Sequence, residues 1–183
     1  MLAPTLPGSF KPFGKGHTGT PGTLCRHAKP EGKESTMSEQ NKALARRALE
    51  EVWNQGKLSV IDELTAPNAT YNDPNVPDGK FTGPEGVKQF VQIYRGAFPD
   101  VRITINDQIA EGDKVVTRWT ATGTHKGQLM GIAPTNKHAI VTGVDIARFH
   151  DGKVVEAWAS YDMFGMLQQL GVVPALAPAG TKA

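Results

Sequence analysis

A single cysteine, Cys25, stands in 183 residues, so neither an intrachain disulfide nor a cysteine-based metal cluster can form. Long apolar runs are missing as well; none approaches the roughly 18 residues a membrane span needs. Charge of one sign is not in excess. Twenty basic residues against eighteen acidic ones leave a net charge of +2, without the concentrated basic stripe of a nucleic-acid-binding domain. There is no glycine-rich phosphate loop, no Gly-x-Ser-x-Gly elbow and no His-Glu-x-x-His. Beyond residue 36 the histidines are His125, His138 and His150, and their spacing is not that of metal ligands. What survives these exclusions is acid–base chemistry by carboxylates, His and Arg, without cofactor or metal. The expected setting is the cytoplasm, with neither nucleic acid nor membrane as partner.

Glycine and proline, by contrast, are concentrated. Residues 1–36 hold six Gly and five Pro, five Lys or Arg against two Glu, and the sole cysteine. That share is close to the roughly 25–30% that marks a disordered segment. Lacking an apolar stretch of about 7–15 residues, it is no secretory signal, and one Arg with few Ser speaks against a transit peptide. Met37 opens the regular sequence, and Lys33-Glu34 can be encoded AAG-GAG, a ribosome-binding sequence just upstream, so translation is expected to start at Met37. Residues 1–37 are thus read as a disordered extension, 38–174 as one domain of ordinary size and 175–183 as a flexible tail.

From Ser38 the patterning is regular. Ser38 is the expected N-cap of a helix with Ala45, Leu49, Val52 and Trp53 on one stripe, closing at Gly56. A short helix follows Ser59 and ends by Pro67, and residues 72–79 are loop chemistry. Thr82-Gly83-Pro84-Glu85 reads as a capping box launching an amphipathic helix through Val87, Phe90, Val91, Tyr94 and Phe98. Period two then takes over. Val101, Ile103, Ile105 and Ile109 line one side of a strand, and Glu111-Gly112-Asp113 turns the chain. Strands follow at 114–125 and 138–149, a tight hairpin at Asp151-Gly152, a strand at 153–161 and a helix at 163–170 stopped by Gly171. Helices first and a strand meander afterwards exclude a doubly wound parallel sheet. The fold expected is α+β: a cone-shaped curved antiparallel sheet with three main helices on one face and a pocket between them.

Within such a cone the candidates for chemistry are few. A two-residue turn at Asp151-Gly152 sets Asp145 opposite Trp158 and Ala147 opposite Glu156, making Asp145 and Glu156 diagonal neighbours on one face. Paired carboxylates raise one another's pKa and make a general acid or base. The plainer alternative puts both on a solvated or dimer-facing side, bound to Arg148, Lys or water. Asp162, where the last strand gives way to the last helix, is either that helix's N-cap or a base at the mouth of the cone. Arg118 and Trp119 point to opposite faces. A three-residue turn at Glu111-Gly112-Asp113 brings Trp119 inward beside Ile105, and a two-residue turn brings Arg118 inward. His125 closes the same strand, either exposed or on the pocket rim. Trp53, Tyr71, Phe90 and Tyr94 serve as core or as ligand wall, and Met130, in a long loop between strands, is placed to touch a ligand.

Taken together, Ala97-Phe98-Pro99-Asp100, Glu111-Gly112-Asp113-Lys114-Val115, Gly123-Thr124-His125-Lys126-Gly127 and Met130-Gly131-Ile132-Ala133-Pro134-Thr135 resemble the SnoaL-like polyketide cyclases, also called ester cyclases. Asp151-Gly152-Lys153-Val154-Val155-Glu156, Trp158 and Gln169-Leu170-Gly171 extend the resemblance across nearly all of the domain. It implies the nuclear-transport-factor-like cone, commonly a homodimer, and ring closure by intramolecular aldol condensation of an aromatic polyketide ester, without metal or cofactor. In those cyclases His-Trp-Asp follows the Glu, and that Asp is the acid/base; here the corresponding residues are Ala157, Trp158 and Ala159. Many SnoaL-like sequences carry instead an Asp just before the last helix, matched by Asp162, and one in the strand, matched by Asp145. His125 matches their Gly-Thr-His motif.

The reading that results is a cofactor-free cyclase, isomerase or lyase acting on a small apolar or aromatic carbonyl compound. Asp162 is its expected acid/base, with His125 and Asp145 as helpers and Arg118 as oxyanion stabiliser. Trp53, Tyr71, Phe90, Tyr94, Trp119, Met130 and Tyr161 are the expected substrate contacts. Ala159 favours the alternative, a ligand-binding or dimerisation module without chemistry. A third reading, epoxide hydrolysis or dehydration, needs an Asp-Arg-Asp or His-Asp set converging in the pocket.

Overall fold

The computed structural model describes the backbone of residues 31–174 and side chains from Thr36 onward; the remainder of the expected extension and the tail at 175–183 lie outside the described residues. Helix α1 (Glu31–Arg47) runs on through a π-helical segment (Ala48–Asn54). It starts upstream of Ser38, the expected cap. No proline interrupts 31–47, and Ser and Thr are tolerated inside a helix, so a residue that caps well need not be where the helix begins. Gly56 ends this first rod as expected, with φ of 73° and its N–H bonded to the Val52 carbonyl. Next come α2 (Ser59–Leu64), β1 (Thr65–Asn72), a short turn of 3-10 helix (Pro77–Gly79), β2 (Lys80–Thr82) and α3 (Gly83–Ala97). The meander follows: β3 (Arg102–Glu111), β4 (Lys114–Thr124), β5 (His138–His150), β6 (Lys153–Tyr161) and finally α4 (Met163–Leu170).

The strands form one curved six-stranded sheet in the order β2-β1-β6-β5-β4-β3, antiparallel except where β1 lies parallel to β6. Strands β1 and β2 have no alternation that could announce them. β1 carries Pro67, and its pairing with β6 is irregular between Thr65 and Thr70, because proline has no N–H to give to the ladder. Helices α1 to α3 cover the concave face. Their apolar stripes meet the sheet in three adjoining clusters, around Leu49, Trp119 and Leu170, around Val115 and Phe149, and around Val60, Ile61 and Val91. The expected capping box does not form: Thr82 makes no side-chain cap, and Glu85 turns instead to Lys88 at 2.7 Å. Gly83 is needed there for another reason. It takes φ of 64°, and a Cβ would stand 2.7 Å from the Pro67 carbonyl oxygen.

Two one-residue irregularities decide which side chains face inward. The turn after β3 has two residues, Glu111 pairing with Lys114, which alone would carry Arg118 to the face of Ile105. A bulge at Asn106 cancels that shift, so Ile105 pairs with Trp119 and both face the helices. The same bulge turns Ile109 outward, 64% exposed, against the expectation that it shares the side of Val101, Ile103 and Ile105. The second irregularity lies in the β5–β6 hairpin. Asp151-Gly152 forms the expected tight turn with positive φ at both residues, and Phe149 pairs with Val154. Val155 then bulges, and from Arg148–Glu156 onward the register is one residue away from that of a regular hairpin.

Candidate active site

Between the helices and the concave sheet lies a cavity of about 240 Å³. One wall is an aromatic run: Tyr71 stacks on Phe81 at 5.2 Å, Phe81 on Phe90 at 5.0 Å, and Phe90 leans on Tyr94 at 4.8 Å. Trp53 from the π-helical segment meets Phe90 edge-on at 6.0 Å. The opposite wall is the sheet, with Trp119 from β4, Asp145 from β5 and Ala157, Ala159 and Tyr161 from β6. Gly143 explains how Trp119 lies there. A Cβ at Gly143 would come within 2.4 Å of the indole, so only glycine lets the ring lie across β5.

Asp73 and Asp145 are the carboxylates of this lining, and among the described lining residues there is no Lys, Arg or His. Burial therefore acts on Asp145 without a cation to offset it and pushes its pKa up to about 7. The neighbouring Trp119 indole favours the ionised form, and the charge of Asp73 opposes it. Trp119 Nε1 is buried at the cavity wall and is directed at Asp145, whose carboxylate it favours. Asp73, 2% exposed, sits where β1 ends. Its Oδ1 accepts from the backbone and side-chain N–H of Asn75, at 2.8 and 3.0 Å, and its Oδ2 accepts from the Tyr161 hydroxyl at 3.1 Å. Tyr161 lies 2.9 Å from the Tyr94 hydroxyl. Burial holds the ionisation of Tyr71, Tyr94 and Tyr161 above the usual phenol range.

Of the residues expected from the sequence, the cavity gathers Asp145, Trp53, Tyr71, Phe90, Tyr94, Trp119 and Tyr161. The others lie elsewhere. Arg118 points to the outer face of β4, because the bulge at Asn106 gives the inner face to Trp119. Asp162 is exposed and caps α4, its Oδ1 accepting the Gly165 N–H at 2.7 Å. His125 is completely buried outside the lining: its ring lies 5.3 Å from Phe98, and its Nδ1 accepts the Thr135 N–H at 3.2 Å, tying down the loop after β4. Met130 stands at the tip of that loop, 52% exposed, with φ of 49°. The expected Asp145–Glu156 pair is absent as well. The bulge at Val155 turns Glu156 to the outer face, where Arg148 binds it at 3.0 Å, while Asp145 pairs directly with Ala159. The Asp-Arg-Asp or His-Asp set of the third reading does not converge on the lining.

Asp73, Phe81 and Gly143 were not singled out by sequence. Asn72-Asp73-Pro74-Asn75 reads as a turn, and Asp73 does make one through Asn75; that its far oxygen reaches β6 depends on β1 and β6 lying side by side.

The open α+β cone is the nuclear-transport-factor-like fold, also that of a Catenulispora acidiphila protein with a ketosteroid isomerase-like fold. The chain belongs to the SnoaL-like polyketide cyclase family, whose profile matches residues 43–170. It is 30% identical over 120 residues to the nogalonic acid methyl ester cyclase of Streptomyces nogalater, an alignment spanning 65% of this chain and 89% of that protein. Among solved structures it resembles IdmH of Streptomyces antibioticus, at 33% identity and a TM-score of 0.64 over 72% of this chain and 99% of that one. AclR of Streptomyces galilaeus is similar too, at 31% identity and a TM-score of 0.68 over 77% and 87% of the two chains.

Proposed function

We propose that the cavity is the active site of a cofactor-free cyclase acting on an apolar or aromatic carbonyl compound, with Asp145 as general acid and base. The observation that carries this reading is the register: Asp145 is the direct cross-strand partner of Ala159, the position at which the resembled cyclases hold their acid/base. Direct partners share a face with Cβ atoms about 4.5–5.5 Å apart, so a carboxylate on β5 serves the same region of the cavity. A pKa of about 7 suits a group that must take and return a proton near neutrality. In this reading ionised Asp145 removes the proton α to a carbonyl, and the electron pair moves onto the carbonyl oxygen as an enolate. As Asp145 takes the proton, the Trp119 N–H that favoured its carboxylate turns to donate to that oxygen, the role expected of Arg118. The carbanionic carbon then adds to a second carbonyl of the same molecule, and Asp145 returns its proton to the new alkoxide. Asp162 and His125 take structural parts.

The experiment is cyclisation of nogalonic acid methyl ester, the substrate named for the Streptomyces nogalater relative, together with deuterium exchange into the α-carbon of 2-tetralone, a small aromatic ketone. Asp145→Asn is expected to lower both rates by about 10²–10⁴-fold while the protein stays folded, because an amide cannot exchange the proton. Wild-type rates should rise with pH through about 7, as the base form fills. An Asp145→Asn variant as active as the wild type would remove Asp145 as the base, and a wild type inactive in both assays would leave the ligand-binding module that Ala159 favours. We also propose a homodimer joined through the outer sheet face, where Ile140 and Val144 are exposed.

A further inference from the structure

The hydrogen bonds of Asp73, Tyr161 and Tyr94 have a direction that can be worked out from the number of hydrogens available. Both oxygens of Asp73 accept, from two N–H groups of Asn75 and from the Tyr161 hydroxyl. A phenol has one hydrogen. Tyr161 has spent its hydrogen on Asp73, so in the 2.9 Å contact with Tyr94 it must accept, and Tyr94 must donate. The chain therefore runs Tyr94 to Tyr161 to Asp73, and the outer end, the Tyr94 oxygen, is left with lone pairs and no hydrogen to offer the cavity.

We infer that Asp73 is a positioning residue that, through Tyr161, fixes Tyr94 as a hydrogen-bond acceptor at the cavity wall and so selects ligands that carry a hydroxyl at that end. A ligand carbonyl or ether there meets an oxygen with nothing to give, and the repulsion of lone pairs rejects it. A phenolic or enolic hydroxyl donates to Tyr94 and extends the chain by one link. This inference rests on the cavity being the ligand site, but not on Asp145 being the base.

The probes are 1-naphthol and 1-methoxynaphthalene, flat ligands that differ in whether one oxygen carries a hydrogen, and the readout is affinity by calorimetric titration. Wild-type protein is expected to prefer the naphthol by about tenfold, the worth of one satisfied hydrogen bond against an unsatisfied one. Tyr94→Phe should abolish the preference. Asp73→Asn should reverse it: with the amide oxygen kept by Asn75, the amide NH₂ donates to Tyr161, the chain runs backward and Tyr94 presents its hydrogen to the ligand. Tyr161→Phe, which removes the middle acceptor without disturbing Asn75, should likewise free the Tyr94 hydrogen and favour the ether; urea unfolding confirms that each variant is folded. A purely structural Asp73 could weaken both probes but could not exchange their order. Equal affinity of the wild type for both probes, or a naphthol preference that survives Tyr94→Phe, would overturn the inference and leave the Asp145 reading intact. Failure of both probes to bind would overturn both readings.

Discussion

At the scale of single residues, Asp145 is the group whose environment and chemistry conflict most. It sits in an apolar wall that raises its pKa to about 7, whereas in an unfolded chain an aspartate titrates near ~3.9. Because the folded state holds the proton more tightly, the stability this group contributes is complete below pH ~4 and is lost as pH rises through about 7. Between pH 5 and pH 8 the wild type should therefore lose about 2–3 kcal/mol more than Asp145→Asn in urea unfolding. Parallel losses in the two proteins would mean that Asp145 is not buried in the ionised state. Asp162 behaves in the opposite way, exposed and bonded to Gly165. Asp162→Asn should be nearly silent in both stability and turnover, since Asn caps about as well, while Asp162→Ala should cost about 1 kcal/mol. Loss of turnover in Asp162→Asn would restore it as the acid/base.

At the scale of elements, the site is assembled by register, and register was only partly legible. The hairpin turn at Asp151-Gly152, the strands of the meander and the C-cap at Gly171 (φ 75°) could be read from local patterns, because turn chemistry and alternation are written in neighbouring residues. The bulges at Asn106 and Val155 could not. A bulge changes pairing by one residue and leaves composition untouched, yet it moves every later side chain to the other face. A regular hairpin would set Glu156 beside Asp145; with the bulge it faces Arg148 instead. Helix α4 shows how an element is anchored from outside itself: the Gln169 amide donates to the Ile140 carbonyl and accepts the Ile140 N–H, both at 2.8 Å, like an added strand residue. Gln169→Ala should cost about 1–2 kcal/mol and speed amide hydrogen exchange at Ile140 more than at Val141. Unchanged exchange at Ile140 would show that packing of Leu170 and Met166 alone holds α4.

At the scale of the molecule, the helices cover one face of the sheet and leave the other open. Ile140 is 53% exposed and Val144 37% exposed on that outer face, beside the Arg148–Glu156 ion pair. Apolar side chains on an uncovered sheet face are the expected material of a protein–protein contact. Sedimentation at micromolar concentration should give twice the chain mass, and Val144→Asp should return it to the monomer while leaving the cavity unaltered. A wild-type monomer would refute the dimer.

By itself the sequence determined the class of fold and the inward stripes of the helices, since hydrophobic period and turn residues are local and survive without coordinates. It also held the carboxylate candidates and put Asp162 ahead of Asp145, without showing which of them faces the cavity. That Asp145 and Trp119 face the cavity while Asp162 and Arg118 do not, and that Asp73 lies in its wall, was decided by the tertiary structure. Each of those placements depends on which strand lies beside which and on a slip of one residue between them, and neither is encoded in any single stretch of chain.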